Sequence, residues 1–325
     1  MTVYSLAPGW PRLLSALGLD PQAVLRQAGL PADLLRSPGA RIGAEDFFAL
    51  WEAAETLYPG PDLAVALASA VSADHFDAAV FAGLASRDLA QAAERIAVYK
   101  RLIYPVTLDV RTDAGLRIAL RPRTPFTPPT VLERFELLFW VAFARLATGA
   151  RIRPVRITVP DPPDDQTAVA DFLDGGVLTH GPAAVVFSPS DMRRPFDTAV
   201  HSDMWAHLET DLRRRLRTLE QSATWTDRTH AALLTCLPAG RRTLADVAHH
   251  LATTPRTLQR RLEAENTSFQ KVLAETRERL ARAYLRRTSL SNTEIAFLIG
   301  YGELTSFHRA LRQWTGQTPR GLRPA

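Results

Sequence analysis

Three polar side chains near the carboxyl end of the chain have the chemistry needed to recognise base edges in DNA. Arg256, Gln259 and Arg260 are spaced so that one face of a helix presents all of them. Arginine can donate two hydrogen bonds to guanine, and glutamine can pair with adenine. We therefore interpret this face as one that enters a major groove.

The residues around this face follow a helix-turn-helix pattern at 244–262. A short amphipathic helix is followed by a turn, and the helix that carries the polar face begins at Pro255. Thr243 and Asp246 have the spacing of a capping box, and Thr254 is a suitable N-cap before a proline at the first helical position. Local chemistry therefore determines this turn.

A second copy of the pattern occupies residues 292–314, where Ser291 and Glu294 repeat the capping-box spacing. A helix predicted at 269–287 joins the copies and holds their second helices at a fixed separation. If both of these helices enter the same face of B-DNA, they lie roughly 34 Å apart, one helical turn. The positions predicted to be buried in the two copies and the connector are Val247, Leu251, Leu258, Leu262, Ile295, Ile299, Phe307, Leu311, Val272, Leu273, Leu280 and Tyr284.

Basic charge is concentrated in the same part of the chain. Residues 241–325 contain 15 Lys and Arg against 7 Asp and Glu, whereas the remaining residues contain 24 against 27. A protein that binds DNA needs such an excess because its cations release counterions from phosphates. Taken alone, the excess of basic charge is equally typical of a solvated surface that binds nothing. Because the charge coincides with the two helix-turn-helix patterns, we favour DNA binding.

The first 200 residues predict an α+β domain of helices packed on a mainly antiparallel sheet. Alternating apolar and polar residues at 106–111 and 116–121 predict a hairpin, and 155–159 and 184–187 predict two further strands. The strongly apolar segment 131–148 is expected to be the central helix. Other helices are predicted at 21–28, 44–58, 62–71, 78–85, 87–104 and 167–173.

The chain of 325 residues is long enough for at least two domains. We expect a domain at 1–200, a linker helix at 201–225 and an all-α domain at 226–325. No apolar run reaches the roughly 18 residues of a membrane helix, and the first residues lack a secretory signal. A cytoplasmic protein without membrane partners is therefore expected.

Other kinds of site have little support in the sequence. The single Cys236 excludes an intrachain disulfide, cannot form a thiolate zinc site alone, and lies among leucines that predict a core position. The adjacent His249 and His250 point about 100° apart on a helix, so a surface position is expected for both. We find no catalytic set, metal-ligand set or cofactor motif, and expect a protein that is not an enzyme and has no cofactor.

Residues 226–325 resemble the DNA-binding domain of AraC/XylS-type transcriptional regulators. The resemblance is carried by residues 295–301, which read Ile-Ala-Phe-Leu-Ile-Gly-Tyr, by residues 306–316, and by Thr318-Pro319. It implies that the first helix-turn-helix reads bases with the three residues named above. The full set of residues expected to contact DNA is Arg256, Thr257, Gln259, Arg260, Thr305, His308 and Arg309.

The chain departs from the family pattern at three positions. Leu304 stands near a position that is often polar in relatives, so the first helix-turn-helix is the better-specified base reader. Ala252 replaces a common turn glycine, which a right-handed turn geometry tolerates. Leu322 replaces an aromatic residue.

Residues 10–200 resemble the arabinose-binding-like sensor domain of the same family rather than its sugar-binding β-barrel. This resemblance implies that the domain senses a small-molecule effector or forms a homodimer. The aromatic residues expected to line an effector pocket, where the helical and sheet layers converge, are Tyr99, Tyr104, Phe139 and Trp140. An ordinary aromatic core is the alternative interpretation.

The expected partners are double-stranded promoter DNA, RNA polymerase, a second copy of the chain and an effector of unknown identity. Activation of transcription is the working expectation, and repression stays open. Two other functions are considered. One is a ligand-independent dimeric regulator, and the other is a metabolite enzyme that a DNA-binding domain only tethers.

Overall fold

A computed structural model describes residues 3–6, 9–36, 41–122, 127–197, 209–214, 216–217, 224–287 and 290–323. The chain forms two compact units. The N-terminal unit comprises residues 3–123 and 127–219, and the C-terminal unit consists mainly of residues 220–325. Each unit is described by itself below.

The N-terminal unit is built largely from short helices. Four of them begin at an aspartate whose side chain accepts hydrogen bonds from the first backbone N–H groups, which explains where these helices start. Short 3-10 helices lie at Leu34–Arg36, Ala73–His75 and Lys100–Leu102. The α-helices are α1 (Trp10–Ala16), α2 (Pro21–Gln27), α3 (Ala44–Leu57), α4 (Leu63–Ser69), α5 (Ala78–Leu84), α6 (Leu89–Tyr99), α7 (Thr130–Thr148), α8 (Thr167–Phe172) and α9 (Pro189–Met192).

Two sheets accompany these helices. Strands β1 (Val3–Ser5) and β2 (Arg41–Gly43) form an antiparallel pair. The larger sheet has five strands in the order β3-β4-β7-β5-β6, and only the β5–β6 pair is parallel. Its strands are β3 (Val106–Arg111), β4 (Leu116–Pro122), β5 (Arg156–Val159), β6 (Leu178–His180) and β7 (Ala184–Phe187).

Helix α7 is the centre of the N-terminal core. It packs against α3 and α4 on the helical side and against β5 and β7 of the sheet. Most of its side chains are buried, including Trp140, Phe143 and the charged Glu136. The expected central helix is therefore confirmed, with its first residue at Thr130 rather than Val131.

The α+β fold class is confirmed, with differences of detail. The strands β1, β2 and β6 have only three residues each, too few for the alternation of side chains to be read from the sequence. The helix predicted at 87–104 begins after the N-cap Asp88 and gives way to a 3-10 turn at Lys100.

The predicted linker helix at 201–225 lies largely outside the described residues. Within it, residues 209–214 and 216–217 are helical. Residue 224 is the N-cap of the first helix of the C-terminal unit.

The regular elements of the C-terminal unit are all helices in its described residues, as expected. Its helices are α10 (Trp225–Cys236), α11 (Leu244–His250), α12 (Pro255–Ala264), α13 (Phe269–Arg287), α14 (Asn292–Leu298), α15 (Leu304–Thr315) and α16 (Pro319–Leu322). One hydrophobic core runs through the unit and includes buried residues of both helix-turn-helix patterns and of the connector α13. Across the described parts of both units, no helix combines the length and apolar character needed to cross a lipid bilayer.

Candidate DNA-binding surface and N-terminal cavity

The first helix-turn-helix consists of α11 and α12. Its capping box is present: the N–H of Asp246 donates to Thr243 Oγ1 at 3.1 Å, and the N–H of Thr243 donates to Asp246 Oδ2 at 2.9 Å. Hydrogen bonds from the Thr243 hydroxyl and backbone lower the pKa of Asp246 below its usual range. Thr254 caps α12 by accepting from the N–H of Thr257, with Pro255 at the first helical position.

The turn between α11 and α12 corrects one expectation. Ala252 has a φ of +50°, which is left-handed, so the expected right-handed geometry is wrong. The next residue, Thr253, donates its N–H to the carbonyl of Ala248 at 2.9 Å. A hydrogen bond from an N–H to the carbonyl five residues earlier closes the end of a helix when the residue before the donor is left-handed. Glycine is preferred at that left-handed position.

The C-terminal end of helix α12 is also bound, by residues at the start of α10. The carboxylate of Glu265, its C-cap, accepts from the N–H groups of Trp225 and Thr226 at 2.7 and 2.8 Å and from the Thr226 hydroxyl at 2.7 Å. Burial raises the pKa of Glu265, but these hydrogen bonds outweigh it and the pKa is lowered. The start of α10 is thus fixed to the end of α12.

The outward face of α12 carries the predicted base readers. Arg256, Gln259 and Arg260 are exposed, while Leu258 and Leu262 are fully buried on the opposite face. Gln259 donates from Nε2 to Glu263 Oε1 at 3.0 Å. Thr257 is half-buried, and its hydroxyl accepts a hydrogen bond from the Thr254 hydroxyl at 2.9 Å. Of the predicted contacts on α12, the two arginines and Gln259 are therefore the exposed ones.

The second helix-turn-helix, α14 and α15, repeats this construction. Ser291 and Glu294 form its capping box, and hydrogen bonds from Ser291 lower the pKa of Glu294. Gly300 takes the place of Ala252, with a φ of +80°. The N–H of Tyr301 donates to the carbonyl of Ala296 at 2.8 Å, so the two turns close in the same way.

Two arginines that the sequence did not single out lie at this second turn. Arg277, on α13, donates from Nε to the carbonyl of Ile299 and from Nη2 to that of Gly300, both at 2.9 Å. Arg242 donates from Nη1 to the carbonyl of Gly300 at 3.0 Å. Burial lowers the pKa of Arg277. Sequence offered no signal for either role, because basic residues are common throughout this unit.

The second recognition helix, α15, presents a less polar face than α12. Thr305 and Arg309 are exposed at the positions that correspond to Arg256 and Arg260. His308 is half-buried, and its Nε2 is buried with no hydrogen-bond partner among the described residues. Leu304, the first residue of the helix, keeps 36% of its surface exposed. The two recognition helices are therefore chemically unequal.

The remaining predicted core positions agree with the structure. Val272, Leu280 and Cys236 are buried, and burial raises the pKa of the Cys236 thiol. Leu251 and Tyr284 are half-buried against the same core. Leu322, which replaces a family aromatic, also lies in the core.

The N-terminal unit contains a cavity of about 90 Å³ between α1, α3, α4, α5 and α7. Two of the aromatic residues predicted for an effector pocket, Tyr104 and Phe139, line it. Trp140 is fully buried and Tyr99 nearly so, and neither lines the cavity. Tyr99 instead lines a groove with Glu209 and Arg213.

A buried ion pair lies at the wall of this cavity. Lys100 Nζ donates to Glu136 Oε1 at 2.8 Å and to Oε2 at 2.7 Å, and both side chains are almost completely buried. Burial raises the pKa of Tyr104 well above its usual value, and the negative charges of Glu136 and Asp77 add to this. The sequence did contain one signal for this pair: Glu136 is a charged residue within the long and strongly apolar segment that forms α7.

Two protein families match separate parts of the chain. Residues 18–196 match the family described as the arabinose-binding domain of AraC transcription regulators, and residues 247–325 match a helix-turn-helix domain family. The ornithine utilization regulator of Pseudomonas aeruginosa is 28% identical over 319 residues, which cover 96% of this chain and 93% of that protein.

Two further similarities differ in extent. The HTH-type transcriptional regulator VirS of Mycobacterium tuberculosis is 36% identical over 105 residues, which cover 32% of this chain and 31% of that protein. The crystal structure of the transcriptional regulator CdpR from Pseudomonas aeruginosa aligns with 97% of this chain and 98% of that chain, with 22% identity and a TM-score of 0.44.

Proposed function

The chain belongs to the AraC family of DNA-binding transcriptional regulators, and we propose that it reads two adjacent major-groove segments of its operator under the control of a small molecule. One observation carries this proposal. Two helix-turn-helix patterns with exposed polar recognition faces share one hydrophobic core, so that α12 and α15 are packed within one helical unit. A single chain then contacts two consecutive turns of B-DNA on one face, roughly 34 Å apart.

The first helix-turn-helix supplies most of the base recognition in this proposal. Arg256 and Arg260 present guanidinium groups suited to guanine, and Gln259 presents an amide suited to adenine. The second contributes Arg309 and the smaller Thr305. Thr257 and His308, both half-buried, are assigned to the edge of the contact surface.

A matched pair of arginine variants on α12 tests this assignment. Arg260→Ala removes a proposed base contact, whereas Arg261→Ala removes a guanidinium that lies 5.8 Å from the Trp225 ring. We expect Arg260→Ala to relax preference at one base pair by about 1–3 kcal/mol, and Arg261→Ala to leave base preference unchanged. The measurement is competition binding of the full-length protein to operator variants, after footprinting has located the operator.

Two results contradict the proposal. If no genomic fragment is protected at low salt, the chain does not read DNA as proposed. If Arg260→Ala weakens binding equally for every sequence, this residue contacts phosphate rather than a base.

Effector control is proposed for the N-terminal unit, with its cavity as the binding site. The cavity supports this because apolar walls and a few polar groups are typical of small-molecule sites. Thermal-shift screening of metabolites against the full-length protein, followed by footprinting with each hit, tests it. The proposal fails if hits bind without changing DNA affinity or transcription.

Homodimer formation and contact with RNA polymerase complete the proposal, and the family membership supports both. Sedimentation equilibrium of the full-length protein measures the first. Transcription from the footprinted promoter with purified polymerase measures the second and gives the direction of regulation.

A further inference from the structure

The five-stranded sheet has two edge strands, and one of them is closed. Strand β6 has only three residues. The side-chain amide of Gln166 accepts from the N–H of Leu178 on this strand at 2.7 Å and donates to its carbonyl at 3.1 Å. A side chain therefore takes the place of a neighbouring strand. A short edge strand and a covered edge are both means by which proteins prevent pairing with another chain.

Strand β3, at the opposite edge, has six residues and pairs with β4 alone among the described strands. On β4, the N–H of Leu120 donates to the carbonyl of Ala183 at 2.9 Å, on the side of β7. The N–H and C=O of a strand residue point to the same side, so Leu120 turns away from β3. Leu108, which lies opposite Leu120, must then turn its backbone groups away from β4. By alternation, Val110 does the same.

The backbone groups of Leu108 and Val110 therefore point to the outer edge of β3. Within the part of the chain that the structure describes, no backbone or side-chain group forms a hydrogen bond with them. Both residues are half-buried rather than buried. Outward N–H and C=O groups on a regular strand are a template for a further strand.

The side chains of β3 are complementary in charge to a second copy of the same strand. Asp109 and Arg111 project from one face. In an antiparallel pair with its two-fold axis at Val110, Asp109 of each copy lies opposite Arg111 of the other. These two positions are the ones without backbone hydrogen bonds between the copies, where facing side chains are closest.

Other arrangements of charge are less favourable. An axis at Asp109 would set this carboxylate opposite its own copy, which is repulsive. The two arginines of β4 near this carboxylate, Arg117 and Arg121, lie one strand farther from the axis. With the axis at Val110, the nearest charges across it therefore have opposite signs.

We infer that two copies of the chain pair through β3, antiparallel and about a two-fold axis at Val110. The two five-stranded sheets then form one continuous sheet, in which Val110 of each copy exchanges both backbone hydrogen bonds with the other. Two pairs of Asp109 with Arg111 flank the axis. Twofold symmetry of this kind, with the same patch on both copies, is the commonest in homodimers. The inference specifies the interface of the homodimer in the proposed function and rests on that homodimer.

Cysteine substitution tests the position of the axis. Val110→Cys places two thiols on a hydrogen-bonded pair, whose Cα atoms lie about 5.5 Å apart, within the roughly 4.4–6.8 Å of a disulfide. Thr107→Cys would lie opposite Asp113 of the other copy, so its two thiols would be about 20 Å apart at about 3.3 Å per residue. After mild oxidation of the full-length protein, a denaturing gel should show covalent dimers for Val110→Cys. Thr107→Cys and the wild-type chain, whose Cys236 is buried, should remain monomers.

Two matched pairs of variants test the contacts by sedimentation equilibrium. Val110→Pro removes an N–H from the proposed pairing and none from the β3–β4 ladder, whereas His180→Pro makes the same change on the closed edge strand β6. Arg111→Glu sets a carboxylate opposite Asp109 of the other copy. Arg121→Glu is its control, since Arg121 is similarly exposed, 59% against 63%, and contacts Asp109 only within its own chain.

Val110→Pro and Arg111→Glu should each weaken the dimer at least about tenfold, through a lost hydrogen bond in each half of the interface and through like-charge repulsion. His180→Pro and Arg121→Glu should leave the dimer dissociation constant nearly unchanged. Far-ultraviolet circular dichroism of each variant checks that it is folded.

The outcomes separate this inference from the homodimer itself. If the wild-type chain is a dimer but Val110→Cys cross-links no more than Thr107→Cys, the interface lies elsewhere and the inference is overturned. Unchanged dimer affinity in both Val110→Pro and Arg111→Glu overturns it as well. If the wild-type chain is a monomer at concentrations that protect its operator, the homodimer and the inference fail together, while DNA recognition stands.

Discussion

The guanidinium of Arg277 donates from Nε to the carbonyl of Ile299 at 2.9 Å. This bond joins the connector α13 to the turn between α14 and α15. The same guanidinium lies 4.5 Å from the ring centroid of Tyr301, on the other side of the turn. The orientation of the second recognition helix therefore depends on a side chain that lies more than 20 residues earlier.

Replacement of Arg277 by leucine should destabilise the C-terminal unit by about 2–3 kcal/mol, because the carbonyl of Ile299 loses its charged donor and that of Gly300 keeps only Arg242. Urea unfolding followed by far-ultraviolet circular dichroism measures this. Arg279→Leu on the same helix is the control, and it should cost less than about 1 kcal/mol. Equal losses in the two variants would mean that the carbonyl contacts contribute little.

Replacement of Gly300 by alanine should lower the free energy of unfolding of the C-terminal unit more than the same change at Gly316. Both glycines have positive φ, +80° and +69°. A Cβ at Gly300 would lie 2.9 Å from Leu237 Cδ2, whereas nothing lies within 4 Å of one at Gly316. Backbone strain of about 1–2 kcal/mol applies to both, and the clash adds to it only at Gly300. Unfolding free energies that are the same for both variants would show that Leu237 moves aside without cost.

Replacement of Ala252 by glycine should stabilise the C-terminal unit. The left-handed conformation costs a residue with a Cβ about 1–2 kcal/mol, while glycine in an ordered chain loses about 0.5–1 kcal/mol through its greater unfolded-state freedom. The net gain in the free energy of unfolding is expected to be about 0.5–1 kcal/mol, and it should be measured as a higher urea midpoint of unfolding. Ala248→Gly, in the middle of α11, should have the opposite sign, and stabilisation by both would point to an effect unrelated to the turn.

Acid should destabilise the C-terminal unit through His230. Burial lowers the pKa of His230 from 6.5 to about 4, and the positive charge of Arg279 contributes. Its Nδ1 lies 2.7 Å from the Thr276 hydroxyl, which itself donates to the carbonyl of Val272 and so accepts a hydrogen from the imidazole. Between about pH 4 and 6.5 the unfolded chain binds more protons than the folded one, so the free energy of unfolding falls as the pH falls through this window.

The effect should approach about 2–3 kcal/mol at pH 4.5 relative to pH 7.5, at about 1.4 kcal/mol per pKa unit. His230→Gln should flatten the pH dependence of the unfolding free energy. His249→Gln, at an exposed position, should leave it unchanged. If the unfolding free energy of His230→Gln falls with pH as steeply as that of the wild-type protein, the acid sensitivity belongs to other groups.

Features that depend on residues close together in the chain were predicted well. The capping boxes at Thr243 and Ser291, the N-cap at Thr254 and the apolar face of α7 are all present. Each reflects hydrogen bonding or helical periodicity within a few residues, and such interactions depend little on the rest of the fold. The exposed face of α12 followed from the same periodicity.

Features that depend on distant residues were missed or assigned in part. Alanine in place of the common glycine at position 252 was explained by a right-handed turn geometry, yet Ala252 has a left-handed conformation. Trp140 was expected beside the cavity because the helical and sheet layers converge there, but neighbours on a helix such as Phe139 and Trp140 point about 100° apart. Phe139 faces the cavity, and Trp140 faces the core.

The sequence by itself determined that this chain carries two helix-turn-helix patterns, a basic C-terminal part and an α+β N-terminal part, because these properties are local or additive. Only the tertiary structure decided which side chains meet. It brought Arg277 to the turn at Ile299, and it buried Lys100 against Glu136 beside a cavity with aromatic walls. Such contacts join residues more than 20 positions apart, and packing of the whole unit selects them.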